Sequence, residues 1–106
     1  MTHQELDSRL LNIFGEYTLQ FTQKPVLIGG LAMEFHGLRK AGADIDLVIT
    51  DADYQKLAAL HPEKRKDLWG DLGVVLGPFE IWRSITLLDH SFFEKGAEEL
   101  ETVRVI

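Results

Sequence analysis

The chain has 106 residues, of which 45% are hydrophobic and 26% are charged, a composition that predicts one small domain with a hydrophobic core. It lacks cysteine, which excludes disulfides and leaves only oxygen and imidazole ligands for a metal. The formal net charge of -6 argues against a surface built to bind a nucleic-acid backbone. A polynucleotide substrate stays open, because a bound cation offsets acidic site residues locally.

Two further features of the sequence bear on where the protein resides. No apolar run approaches the roughly 20 residues of a membrane-spanning helix. The segment Met1 to Glu5 lacks the basic start and the apolar stretch of a signal peptide. We therefore expect a cytoplasmic location and no membrane partner.

The first predicted element is an amphipathic helix over about residues 3–20. Thr2 and Glu5 have the spacing of a capping box, in which each residue bonds the backbone of the other. Apolar residues then recur at helical spacing as far as Phe21. We expect this helix to cover one face of a sheet.

A strand that turns sharply into a helix is predicted next. The apolar run Val26-Leu27-Ile28 ends in Gly29-Gly30, and apolar residues at helical spacing follow from Leu31. Two glycines at such a turn allow a ligand to approach the bare backbone.

The second predicted strand is Asp44 to Thr50. Side chains two residues apart on a strand share a face, so Asp44 and Asp46 should point the same way while Ile45 and Leu47 face the core. Two such carboxylates beside a glycine turn favour a site for a metal ion and a phosphate.

The rest of the chain supplies further elements in alternating order. We predict a helix over 50–60, a short helix over 63–69, a hairpin over 73–83 with its turn at Gly77-Pro78, a helical stretch over 89–100 interrupted by Gly96, and a last strand over 102–106. This order predicts an α/β (α+β) fold, in which helices pack on a mixed β-sheet over 1–106 as a single domain.

The order of strand, Gly-Gly, helix and Asp-hydrophobic-Asp resembles the nucleotidyltransferase superfamily. The residues that carry the resemblance are Ile28-Gly29-Gly30 and Asp44-Ile45-Asp46-Leu47. With His36-Gly37-Leu38-Arg39 before the aspartates, the pattern is most similar to the bacterial branch of minimal nucleotidyltransferases that includes AbiEii-type toxins. About a quarter of the chain carries these specific motifs.

The resemblance implies a set of site residues. Asp44 and Asp46 would bind two Mg²⁺ ions, and a third carboxylate from a neighbouring strand would complete the set. Glu80 is the candidate, because it interrupts the apolar run Phe79 to Trp82. The Gly29-Gly30 turn would bind the triphosphate through backbone N–H groups, and Arg39 would pair with a phosphate oxygen.

Several other polar and aromatic residues are better explained by structure than by chemistry. Asp71 and Asp89 are weaker ligand candidates, because both lie where turns and caps are expected. We interpret His36 as a structural residue at a helix end and the two tryptophans, Trp69 and Trp82, as packing residues rather than base-stacking platforms. The run Lys64-Arg65-Lys66 is typical of a solvated helix face, and contact with an acceptor phosphate is the minor alternative.

The resemblance implies transfer of a nucleoside monophosphate from a nucleoside triphosphate to RNA, a protein hydroxyl or a small molecule. The branch it resembles suggests a bacterial toxin-antitoxin or defence system, with a partner protein or a homo-oligomer. An inactive nucleotidyltransferase fold that serves as a nucleotide-binding or protein-interaction module stays open. So does an α/β adaptor in which both motifs are coincidental, and the position of the acids relative to the glycine turn separates that alternative from the others.

Overall fold

A computed structural model describes residues 1–106 as four α-helices and eight β-strands. The helices are α1 (His3–Glu16), α2 (Gly29–Phe35), α3 (Asp51–Leu60) and α4 (His90–Glu94). The strands are β1 (Val26–Ile28), β2 (Ile45–Val48), β3 (Gly73–Leu76), β4 (Phe79–Trp82), β5 (Ser84–Ile85), β6 (Leu88–Asp89), β7 (Glu98–Glu99) and β8 (Arg104–Val105). The predicted combination of a mixed sheet and packed helices is confirmed.

Six of the strands form one sheet in the order β3-β4-β2-β1-β8-β7. Strand β2 is antiparallel to β1 and parallel to β4, and β4 pairs with β3 as the predicted antiparallel hairpin. Strand β8 lies parallel to β1 on its other side, whereas β5 and β6 form a separate ribbon. Because β2 is central, each of its side chains has a neighbouring strand on both sides.

Helix α1 begins with the predicted capping box. The Thr2 hydroxyl accepts the Glu5 N–H, and the Glu5 carboxylate accepts the Thr2 N–H. The buried residues of this helix are Leu6, Leu10 and Phe14. They join a core of 20 buried residues that also includes sheet residues such as Leu27 and Leu47. The helix ends at Glu16, earlier than predicted, because the chain turns at Thr18, which has a φ of 55°.

The short helix predicted over residues 63–69 is wrong. Helical structure is limited to a 3₁₀ turn at Pro62–Lys64, after which the chain runs alongside β3 and the Lys66 N–H donates to the Gly73 carbonyl (2.8 Å). Trp69 then occupies a tight turn with a φ of 53° and is 91% exposed. The predicted packing role is therefore wrong for Trp69, whereas Trp82 is buried.

The helical stretch predicted over residues 89–100 is correct only in its first half. Helix α4 ends at Glu94, and after Gly96, which has a φ of 75°, the chain forms strand β7 against β8.

None of the helices has both the length and the apolar content needed to cross a bilayer.

Candidate functional site

The two aspartates of the predicted site lie on strand β2 and just before it. Ile45 and Leu47 are buried in the core, as their alternation predicted, and Asp46 between them is half-buried. Asp44 lies just before the strand and is exposed, with no hydrogen-bond or ion-pair partner for its carboxylate. The charge of Asp44 nevertheless acts on Asp46, whose pKa it helps to raise.

The glycine turn lies directly against Asp46. Gly29 is the first residue of α2, follows β1 and has a φ of 71°, which L-residues with a side chain rarely adopt. A Cβ atom at this position would lie 2.5 Å from Asp46 Oδ2, because Ile28 is the direct strand partner of Asp46. The turn and the acid therefore converge, as the sequence predicted.

Glu80 stands beside Asp46 on the other neighbouring strand. The two residues are direct partners in the parallel pairing of β2 with β4, and Glu80 is half-buried. The pKa of Asp46 is raised to about 6, first by burial and then by its hydrogen bond with Glu80 and the charges of Glu80 and Asp44. Glu80 and Asp46 thus form an acid pair that holds a proton more tightly than separate carboxylates do.

Asp44, Asp46 and Glu80 form an acidic cluster, and its fourth charged residue is Lys66, which the sequence did not indicate as a neighbour of these acids. Lys66 Nζ donates to Glu80 Oε1 over 2.7 Å. This hydrogen bond is the main reason that the pKa of Glu80 is lowered, and together with the charge of Glu80 it raises the pKa of Lys66. Residues 64–66 were predicted to be a solvated helix face. They are exposed, but Lys66 is not helical and binds an acid from strand β4.

Arg39 lies beside the second glycine of the turn. One guanidinium nitrogen is 3.7 Å from the position that a Cβ of Gly30 would take. Arg39 is exposed and, like Lys40, has no carboxylate partner, so its charge is free to meet an anion at the turn. The first turn of α2 is also without a side-chain cap, because the residue at its N-cap is Ile28.

The residues predicted to be structural have structural contacts. Asp71 is buried and accepts the Ser84 hydroxyl and two backbone N–H groups, while Asp89 caps α4 through the Phe92 N–H. His36 Nε2 lies 2.6 Å from the Ile106 carbonyl oxygen. None of these three side chains reaches the acidic cluster through a hydrogen bond.

The donor chemistry of the cluster suits Mg²⁺, which prefers oxygen ligands and is commonly held by one or two carboxylates together with substrate phosphates. Asp46 supplies such a carboxylate at the glycine turn, and the exposed Asp44 lies two residues before it in the chain. The side chains do not form a ready-made cage, since no group of three or more His, Cys, Asp or Glu residues is arranged to hold an ion. Two cavities, of about 870 and 580 Å³, lie elsewhere on the surface, and neither is lined by Asp44, Asp46 or Glu80.

Comparisons of this chain with protein-family models, with curated proteins and with solved structures found no match. The site consists of Gly29, Gly30 and Arg39 at the turn, Asp44 just before β2, Asp46 and Glu80 on β2 and β4, and Lys66.

Proposed function

We propose that the chain is a minimal Mg²⁺-dependent nucleotidyltransferase, which transfers a nucleoside monophosphate from a nucleoside triphosphate to an acceptor. The observation that carries the proposal is the convergence of the glycine turn and the acid pair. A Cβ on Gly29 would lie 2.5 Å from Asp46 Oδ2, and Glu80 is the strand partner of Asp46 on the opposite side. A turn of bare backbone next to partly exposed carboxylates is what a metal-bound polyphosphate requires.

Each residue has a role that follows from its chemistry. Asp44 and Asp46 would hold the cation with their carboxylate oxygens. Glu80 would help to raise the pKa of Asp46 and so influence whether that carboxylate is charged. Arg39, which has no carboxylate partner, would bind a phosphate oxygen beside Gly30. When bound, Mg²⁺ supplies neutralisation of the phosphate charge and activation of the acceptor oxygen.

The reaction proposed for this site exchanges one phosphoryl bond for another. An acceptor hydroxyl oxygen attacks the α-phosphorus and releases its proton to solvent water, while the bond from the α-phosphorus to the bridging oxygen breaks and pyrophosphate leaves. The charge that builds on the phosphate oxygens is the main obstacle, so positioning and electrostatic stabilisation are the principal tasks of these residues. The acceptor is RNA, a protein hydroxyl or a small molecule, and we place the reaction in the cytoplasm, where triphosphates are available.

Thermal unfolding with ligand tests the binding half of this proposal. A nucleoside triphosphate with Mg²⁺ at about 100 times its Kd should stabilise the wild type by about 2.7 kcal/mol. Asp44→Ala and Asp46→Ala should abolish the shift, and Glu16→Ala, which removes an exposed carboxylate at the end of α1, should keep it. Equal shifts in all four proteins would contradict the assigned site.

A second function is favoured by the contact between Lys66 and Glu80. The carboxylate that would complete a two-ion site already has a cationic partner at 2.7 Å. This supports a nucleotide-binding or protein-interaction module that binds a triphosphate without transfer. Incubation with an α-labelled triphosphate and RNA or protein acceptors separates the two functions, since only a transferase leaves label on the acceptor.

A further inference from the structure

The backbone of Lys66 is fixed at the edge of the sheet. Its N–H donates to the Gly73 carbonyl over 2.8 Å, and the preceding residue, Arg65, is bridged to Val74. Strand β3 in turn pairs with β4, where Val75 is the partner of Glu80. The Lys66 side chain therefore extends from an anchored position toward Glu80.

The ammonium group of Lys66 contacts one carboxylate of the cluster directly, that of Glu80. It contacts Glu80 Oε1 at 2.7 Å, the length of a charge-assisted hydrogen bond. The negative charges of Asp44 and Asp46 also help to raise the pKa of Lys66. A lysine ammonium is a compact point charge with three donors, which suits it to a position between acidic groups.

We propose that Lys66 is a resident cation of the site, bound to Glu80, and that Asp44 and Asp46 therefore hold a single divalent ion. The inference rests on the proposed function and replaces the two ions that the family resemblance implies with one. A second divalent ion on Glu80 would have to lie next to the ammonium, and two cations at one carboxylate repel each other. Lys66 thus takes the position that a second ion would otherwise occupy.

Counting bound ions tests this assignment directly. Mn²⁺ serves as the probe, with a non-hydrolysable nucleoside triphosphate present, and electron paramagnetic resonance reports both the number of bound ions and their coupling. Two ions about 3.5–4 Å apart give a spin-coupled spectrum, whereas a single ion does not. The wild type should bind one uncoupled ion per chain.

Replacing Lys66 should open the second position. Lys66→Met should bind two coupled ions, and so should Lys66→Gln, which keeps hydrogen-bond donors but removes the charge. Lys64→Met is the matched control, because Lys64 is exposed two residues away and has no carboxylate partner. This control should bind one ion, as the wild type does.

The outcomes that would contradict the inference are distinguishable from those that would contradict the function. Two coupled ions in the wild type, or one ion in both Lys66 variants, would overturn the role of Lys66 while leaving the proposed function intact. If the wild type binds no ion, or if Asp46→Asn leaves ion binding unchanged, the proposed function itself is overturned, and the inference with it.

Discussion

Replacing Asp46 with asparagine should stabilise the protein at alkaline pH, although it removes a residue of the proposed site. The pKa of Asp46 is raised from 3.8 to about 6, first by burial and then by Glu80 and Asp44. Between these two values the native state binds the proton more tightly than the unfolded state does. The contribution of Asp46 to the free energy of unfolding therefore falls as the pH rises through this window, and its cost is complete above about pH 6.

The size of the effect follows from the shift. A change of about two pKa units corresponds to about 3 kcal/mol at full strength. Asp46 is only half-buried, so solvent screening reduces the expected cost to about 1 kcal/mol. The asparagine side chain of the variant stays neutral at every pH and still offers an N–H to Glu80, so it imitates the protonated acid.

Urea unfolding followed by tryptophan fluorescence measures this difference, with the buried Trp82 as the reporter. At pH 8 Asp46→Asn should be about 1 kcal/mol more stable than the wild type, and at pH 4 the two should be nearly equal. Glu16→Gln, which neutralises an exposed carboxylate, should show no such dependence on pH. A variant that is less stable than the wild type at pH 8, or a difference that is the same at both pH values, would refute the reasoning.

Three other changes have defined outcomes in the same urea assay. Gly29→Ala should destabilise the fold by about 1–3 kcal/mol, because the φ of residue 29 is 71° and the added Cβ would meet Asp46. Gly30→Ala should be neutral or slightly stabilising, because no atom lies closer than 3.7 Å to the position of its added Cβ. Tyr54→Phe should be neutral or stabilise by up to about 1 kcal/mol, because the buried Tyr54 hydroxyl has no hydrogen-bond partner. A variant that is destabilised by more than about 1 kcal/mol would indicate that a bound water pairs with this hydroxyl. Asp71→Asn should lose stability at pH 7 but progressively less in acid. Burial alone would raise the pKa of Asp71, but the hydrogen bonds that its carboxylate accepts lower the pKa below its usual value. The contribution of this carboxylate to the free energy of unfolding therefore disappears as the pH falls through that lowered pKa.

Local patterns in the sequence predicted the centre of the fold well. The alternation of Ile45, Asp46 and Leu47 determined which side chains are buried, and Gly29 marked the turn at which the backbone has a positive φ. Both features depend on a few consecutive residues, so a single sequence is enough to see them. The capping box of α1 was predicted for the same reason.

The rest of the site depends on contacts between distant segments. The sequence shows that Glu80 interrupts an apolar run. It does not show that Glu80 pairs with Asp46, because that pairing depends on the register of two strands and joins residues 34 positions apart. Lys66 could not be found, because its own segment favoured a helix and only pairing with β3 holds it extended. Tertiary contacts override local propensity in such segments. Trp69 shows the same limit, since its exposure follows from its place in a tight turn.

The central claim is that one strand pair and one glycine turn bind a cation together with a triphosphate. A crystal structure of the protein with Mg²⁺ and a non-hydrolysable nucleoside triphosphate tests it most directly. We predict an ion on Asp44 and Asp46, phosphates at the Gly29-Gly30 turn within reach of Arg39, and Lys66 still bound to Glu80. A triphosphate that binds elsewhere, or a site that stays empty at saturating ligand, would contradict it.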